Sequence, residues 1–146
     1  MDEEQRRTLV SAEEQKQISR AVLEWLNTYP DKPKRIDFEF LNKTSGMCIT
    51  TVQTAFKTRQ YINGGYQAQF QFQIVYRLIA SNVEERLAAD ELLNDFGEWC
   101  ENNPPELAEN INRWKVRRDT GASIMGRYDN GAEDHTIQMT LIYEVI

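Results

Sequence analysis

Residues 66–80 read YQAQFQFQIVYRLIA, and this stretch decides the fold. Apolar side chains occupy nearly every second position, and glutamines occupy the alternate positions Gln67, Gln69, Gln71 and Gln73. A period of two places the two sets on opposite faces of a β-strand. The stretch therefore predicts a long strand with one face in the core. Its other face is polar and suits water, a lumen or a wet subunit interface.

A turn signal, Asn63-Gly64-Gly65, precedes this strand and predicts a hairpin tip, because glycine adopts positive φ at little cost. At about 3.3 Å per residue, residues 66–80 extend to roughly 50 Å. A domain of this size is roughly 40 Å across. The hairpin should therefore bend, bulge or project, and an assembly arm and a bulged strand both fit. Arg59, Tyr61 and Tyr66 at the tip are candidate interface residues, since tyrosine is enriched at interface hot spots.

Two amphipathic helices are predicted on either side of the hairpin. Ser11 and Glu14 have capping-box spacing, as have Asn82 and Glu85. An apolar stripe at helical spacing follows each pair: Ile18, Val22, Trp25, Leu26 and Tyr29 in the first helix, and Leu92, Leu93, Phe96, Trp99 and Cys100 in the second. Each stripe indicates packing on one face of a sheet.

The other strands are predicted at 36–40, at 47–57, around Trp114 and Val116, and from about His135 to the end. Residues 119–135 are polar and contain glycine, which favours a loop. The expected order is helix, three strands, helix, two strands. We expect an α+β fold in one domain over residues 1–146. It would have a mainly antiparallel sheet, both helices on one face, a long β-hairpin and a mobile segment at residues 1–10.

Composition and charge exclude several functional classes. The chain has 146 residues, of which 40% are hydrophobic and 27% charged, and its net charge is −6. A negative balance argues against general nucleic-acid binding. No apolar run is long enough for a membrane span, and the charged start MDEEQRR lacks the apolar core of a signal peptide. We expect synthesis in the cytoplasm and no membrane partner.

The charges are unevenly distributed. The second helix is acidic, whereas residues 113–118 (RWKVRR) and the segment 32–35 are basic. In a homo-oligomer, the acidic surface of one copy would meet a basic surface of the next. The candidate pairing sets Glu91, Asp95 and Glu98 against Arg113, Lys115 and Arg117. Two solvated faces of a monomer explain the same pattern.

Motifs for catalysis or cofactor binding are sparse. The sequence holds no phosphate-binding glycine loop, no CxxC, no HExxH and no GxSxG. His135 follows Glu133 and Asp134, a combination more typical of an exposed polar cluster than of acid–base chemistry. Cys48 is interpreted as a semi-buried strand cysteine rather than a nucleophile. We therefore expect no enzyme activity, no metal and no cofactor.

The element order and several segments resemble the tail terminator, or tail completion, proteins of long-tailed bacteriophages. These include the small "minor capsid" proteins of prophages in Gram-positive hosts. The resemblance runs from about Ser11 to the end. The segments that carry it are WLNTYP at the end of the first helix, YINGGYQAQFQFQIVYR in the hairpin, NVEERLAADELLNDFGEWCENNP in the second helix, the late DNG, and the final IQMTLIYEV. They are patterns rather than signatures, and no catalytic residues belong to such proteins.

The resemblance implies a structural protein of the virion at the head–tail junction. Such proteins form a ring, typically of six copies, on the completed tail tube. Their expected partners are further copies of the chain, the tail tube protein and the head connector protein, and genome DNA passes through the lumen. The alternatives are another head–tail connector protein, a tail tube protein, or a small ligand-binding α+β module.

Overall fold

A computed structural model describes residues 17–52, 57–107 and 111–145. The chain forms two α-helices and seven strands within these ranges. They are α1 (residues 17–26), β1 (Ile36–Phe38), β2 (Gly46–Thr51), β3 (Lys57–Gln60), β4 (Tyr66–Leu78), α2 (Val83–Asn102), β5 (Ile111–Arg118), β6 (Ser123–Arg127) and β7 (Glu133–Val145). The predicted capping pair Ser11 and Glu14 and the predicted mobile segment 1–10 lie outside the described residues.

The two longest strands, β4 and β7, form the centre of the sheet. They pair antiparallel along their whole length, from Tyr66 opposite Val145 to Leu78 opposite Glu133. β2 and β3 pair with successive parts of β4, while β6 and β5 pair with successive parts of β7. β1 pairs parallel to β2, so the strand path runs β1-β2-β4-β7-β5. The predicted α+β class with a mainly antiparallel sheet is confirmed.

Helix α1 buries its apolar stripe, as its spacing predicts. Ile18, Val22 and Leu26 are almost fully buried. Trp25 Nε1 donates a 2.7 Å hydrogen bond to the Asn103 carbonyl oxygen at the end of α2. The Asn27 side chain accepts from the Ile36 N–H at 2.9 Å and donates to the Ile36 carbonyl at 3.1 Å. These two bonds attach the end of α1 to the start of β1.

Helix α2 begins and ends with side-chain caps. Asn82 Oδ1 accepts from the Glu85 N–H at 2.9 Å, and Glu85 Oε2 accepts from the Ser81 N–H at 2.7 Å, which confirms the predicted start. Asn103 closes the last turn by donating from its backbone N–H to the Trp99 carbonyl at 2.9 Å. Gly97 lies where the helix touches the sheet. A β-carbon built there would be 2.6 Å from Arg118 Cδ and 2.8 Å from Ile137 Cδ1.

The core lies between the two helices and one face of the sheet. The Tyr29 and Phe96 rings stack with centroids 4.2 Å apart, and the Trp25 and Trp99 rings lie 6.0 Å apart. Aromatic contacts of this kind stabilise the packing beyond area burial. Below them, the sheet contributes the apolar set of β4 and β7, in which Phe72 is fully buried. Both helices therefore cover the same face, as predicted.

The strands differ from the predicted ones in number, and the hairpin differs in shape. The predicted strand 47–57 is two strands, because β2 ends at Thr51 on the far half of β4 and β3 starts at Lys57 on its near half. The predicted loop 119–135 contains β6, whose irregular pairing between Ile124 and Gly126 disrupts the two-residue period. β4 does not project as an arm, because β7 pairs with it up to Tyr66. The bulge expected in the hairpin lies in β3 rather than in β4.

Candidate functional site

The face of the sheet opposite the helices is polar, and we call it the glutamine face. Its central column is formed by the half-buried side chains of β4: Gln67, Gln69, Gln71 and Gln73. The register places β7 residues beside them in order: Glu144, Ile142, Thr140 and Gln138. Glutamine carries both donors and acceptors, so the β4 column and Gln138 can hydrogen-bond to water or to another protein surface. Ile142 and Thr140 of β7 are buried between them.

The glutamine face holds its own side chains in place near β5. Thr140 is fully buried although it lies on this face. Its hydroxyl donates to Asp119 Oδ2, and Asp119 Oδ1 accepts from Arg117 Nε at 2.9 Å. The chain of contacts gives this part of the face a defined shape without a covering layer.

The hairpin tip is tied to the sheet. The Tyr61 hydroxyl donates a 2.9 Å hydrogen bond to Glu144 Oε2. Desolvation and this contact with a carboxylate raise the pKa of Tyr61 above its ordinary value. A β-carbon at Gly65 would lie 2.7 Å from the Val145 carbonyl oxygen, so glycine permits the close approach of tip and β7. Arg59 is exposed beside them, opposite Gln67 in the register.

Two tip residues differ from expectation. Tyr66 is only 6% exposed and belongs to the core, so its ring is not a surface anchor in the single chain. The strand period explains this outcome, because Tyr66 shares its face with Ala68 and Phe70. Ile62, at the start of the turn, is fully exposed, although it is not among the predicted interface residues. A large apolar residue next to the turn signal Asn63-Gly64-Gly65 could have indicated an exposed contact residue in the sequence.

The basic residues of β5 are divided between the two faces of the sheet. Lys115 lies opposite Ile142 and Arg117 opposite Thr140, so both belong to the glutamine face. Arg118 lies on the helix side, where its Nε is 2.5 Å from Glu101 Oε1 of α2. The backbone of Arg113 pairs with Tyr143, and the Arg113 side chain lies outside the described part of the structure.

The acidic residues of α2 form a stripe on the side that faces away from the core. Glu91, Asp95 and Glu98 are exposed, and helical spacing places them opposite the buried Leu93. Glu84 lies on the same side of the helix two turns before Glu91. This acidic stripe and the glutamine face lie on opposite sides of the molecule. The structure thus does not bring the predicted acidic and basic sets together within one chain.

A buried polar cluster joins α2 to β7, which corrects the expectation of an exposed cluster at His135. The His135 side chain is 2% exposed, with Nδ1 2.7 Å from Asp90 Oδ1 and Nε2 3.1 Å from Glu133 Oε1. Arg86 Nε lies 3.1 Å from both oxygens of Glu133. Burial by itself raises the pKa of Glu133, but the hydrogen bonds from His135 and Arg86 hold that pKa below its ordinary value.

A second buried cluster lies on the other face of β7. Arg77 donates to both oxygens of Asp134, from Nε at 2.7 Å and from Nη2 at 2.9 Å, and the Tyr128 hydroxyl donates to Oδ2 at 2.7 Å. Burial raises the pKa of Asp134, but these hydrogen bonds outweigh it and hold the pKa below the ordinary value. A bidentate arginine pair of this kind is a strong structural contact.

The two cysteines are buried, which confirms the interpretation of Cys48 as a strand residue. Burial raises the pKa of the Cys48 thiol to about 11, so the thiol stays protonated near neutral pH and is a poor nucleophile. Among the described residues, no group of three or more histidine, cysteine or acidic side chains is arranged to hold a metal ion. Within the same ranges, no helix combines the length and the apolar character that crossing a membrane requires.

Comparisons with known proteins assign no family. No family model matches the chain, and no curated protein matches it. A solved structure aligns with 96% of this chain and 95% of its own, at 19% sequence identity and a TM-score of 0.40. A likeness at this level supports no conclusion about fold or function.

Proposed function

We propose that this chain is a structural protein of a long-tailed bacteriophage or prophage virion, a tail terminator. In this role, six copies form a ring on the finished tail tube, stop its polymerisation and contribute to the head–tail junction. The tail tube protein and the head connector protein are its partners, and genome DNA passes through the lumen. The resemblance of the hairpin, α2 and β7 segments to such proteins is the starting point.

The observation that carries the proposal is the glutamine face. A sheet with two helices on one face and half-buried glutamines on the other needs no second layer to stay folded. The glutamine columns offer matched donors and acceptors to a polar partner surface, and wet interfaces of this type are common between subunits. The tip supports the same use, since Ile62 is fully exposed beyond the edge of the face.

The charge distribution also supports self-assembly. Acidic and basic surfaces in different places on one chain allow copies to bind head to tail, and such contacts close into a ring when the rotation allows. Opposite charges guide the encounter and disfavour the wrong orientation. A closed ring of one size ends assembly by itself, which is what a terminator must do.

The first experiment is to measure the mass of the purified chain across a concentration series and to image the same sample. A closed six-copy species of about 103 kDa, six times the 17.1 kDa chain, is expected together with ring-shaped particles. Open stacks that lengthen with concentration would identify a tail tube protein instead. A monomer at every concentration would count against ring assembly and favour a ligand-binding module.

A further inference from the structure

A basic cleft lies between the end of α1 and the start of β1. Its volume is about 730 Å³, and its lining includes Lys32, Lys34 and Arg35, together with Glu24 and Asn27. Three basic side chains therefore face one carboxylate. Among the described residues, none of the three cations forms an ion pair or a side-chain hydrogen bond. The cleft is rigidly placed, since Asn27 is bonded to the backbone of Ile36 in β1.

The β5 cations differ from those of the cleft. Arg117 is already paired with Asp119, and Arg118 is paired with Glu101 of the same chain. The strand predicted to carry the basic partner surface is thus partly neutralised within the molecule. The basic cleft is the place in the described ranges where several cations lie close together and still lack carboxylate partners.

The acidic stripe of α2 has the complementary character. Glu84, Glu91, Asp95 and Glu98 are all exposed, and none of them forms an ion pair among the described residues. Carboxylates three, four and seven positions apart project from one side of a helix, so they can enter one cleft together. Like charges in such a row favour a cationic partner.

The acidic stripe and the basic cleft lie beside different strands of the sheet. α2 packs on β7 and β5, through contacts such as Arg86 with Glu133 and Gly97 with Ile137. The cleft lies beside β1, at the other end of the path β1-β2-β4-β7-β5. The α1 segment that lines the cleft packs beside α2 through Tyr29 and Phe96, but among the described residues no ion pair joins the cleft to the acidic stripe of the same chain. Side-by-side copies can join the two surfaces repeatedly.

We propose that the basic cleft receives the acidic stripe of α2 from a second copy of this chain. Carboxylates of the stripe replace solvent around Lys34 and Arg35, and the contact repeats head to tail around the ring. This inference rests on the proposed function, because it names the contact through which the copies assemble. It replaces β5 by the cleft as the basic side of that contact.

Matched double charge reversals test the contact. K34E/R35E reverses the cleft, E91K/D95K reverses the stripe, and R59E/K115E tests the rival contact on the glutamine face. K43E, at an exposed lysine outside all three surfaces, is the control. The substituted side chains are all exposed, so each variant should fold, which circular dichroism and thermal unfolding verify. Each of the first two variants should remain monomeric where the wild-type chain assembles. The control should assemble.

Mixing provides the decisive result. K34E/R35E and E91K/D95K together restore opposite charges across every contact, provided that the two variants alternate. An equimolar mixture should therefore regain the ring, with equal amounts of both variants and an even number of copies. Raising the salt concentration should dissociate both the wild-type and the mixed ring, since exposed charges are screened within about 8–10 Å at physiological ionic strength.

Failure of this inference is distinguishable from failure of the proposed function. A wild-type chain that never assembles overturns both. A wild-type ring that tolerates the cleft and stripe reversals, or a mixture that stays monomeric, overturns only the contact. Loss of assembly in the R59E/K115E variant alone would assign the contact to the glutamine face and overturn the inference. If K34E/R35E abolishes binding of duplex DNA and leaves assembly unchanged, the cleft binds nucleic acid and the inference is wrong.

Discussion

Tyr61 and Glu144 connect the hairpin tip to the last strand through a 2.9 Å hydrogen bond from the phenol to the carboxylate. The two residues are far apart in sequence, and the bond holds the turn on the glutamine face. Gly65 makes the approach possible, because the Val145 carbonyl occupies the space of a side chain. The tip is thereby a fixed part of the surface, with Ile62 at its end.

Tyr61→Phe should lower the unfolding temperature because it removes the hydrogen bond to Glu144. Only water can then replace the lost donor. Glu144→Ala should have a similar effect, and the double variant should be no worse than either single variant. A double-mutant cycle by thermal unfolding measures the coupling. Additive losses would show that the bond contributes nothing to stability.

Ile62→Asp should leave folding unchanged and weaken assembly. The side chain is fully exposed, so its replacement alters stability by no more than about 0.5 kcal/mol. If the tip contacts a neighbouring copy, a buried aspartate there is costly. The mass of the assembly over a concentration series is the readout. Val83→Asp, at another exposed apolar position, is the control and should assemble as the wild type does. Equal behaviour of both variants would remove the tip from the interface.

Gly97→Ala should destabilise the fold although alanine is the better helix former. The added β-carbon meets Arg118 and Ile137 at 2.6 and 2.8 Å. Overpacking costs about 1–3 kcal/mol, against a helix-propensity gain of about 1 kcal/mol, so the expected net loss is about 1 kcal/mol. Urea unfolding measures it. Gly121→Ala, with no atom nearer than 4.0 Å, should cause no loss. A stabilised Gly97→Ala variant would mean that α2 is free to shift on the sheet.

Asp134→Asn should weaken the fold in a pH-dependent manner. At pH 7, the loss of the charged contacts to Arg77 and Tyr128 should cost about 2 kcal/mol. The folded-state pKa of Asp134 lies below its unfolded value of about 3.9. The ionised carboxylate therefore stabilises the fold fully above that value, and the contribution disappears as the pH falls through the folded-state pKa.

Urea unfolding at pH 7, 5, 4 and 3 compares the Asp134→Asn variant with the wild type. The difference in the free energy of unfolding should be constant above about pH 5 and shrink below pH 4. Asp129→Asn, an exposed substitution in the adjacent turn, is the control and should follow the wild type. A difference that persists unchanged to pH 3 would assign the loss to packing rather than to charge.

Regular periodicity explains which parts of the fold could be predicted from the sequence. β4 and the second half of β7 show the two-residue period in sequence, because each places one set of side chains in the core beneath the helices. α2 was predictable from its stripe and from Asn82, since both depend on local geometry. The irregular strands were not. β6 is paired on an irregular register, and β2 and β3 divide one apolar run because β4 is longer than either partner.

Site residues were harder to predict, because exposure depends on partners distant in sequence. His135 is buried because Asp90 of α2 and Glu133 surround its ring. Tyr66 lies in the core because it belongs to the apolar face of β4, although it was expected to be an interface residue at the tip. Lys115 and Arg117 did reach the glutamine face, but nothing in RWKVRR reveals that Arg117 pairs with Asp119. The sequence shows where the charged residues are, whereas only the fold determines which of them lack an ion-pair partner.

The pairing of β4 with β7 also determines how this chain must fold. The two central strands are separated in sequence by residues 79–132, a segment that contains α2, β5 and β6. Their first contact closes a long loop and gains little until many more pairs have formed. Such nonlocal contacts raise the relative contact order, which correlates with slow folding. Refolding should therefore be slow, and the unpaired β4, with its apolar face uncovered, would be the species most prone to aggregate.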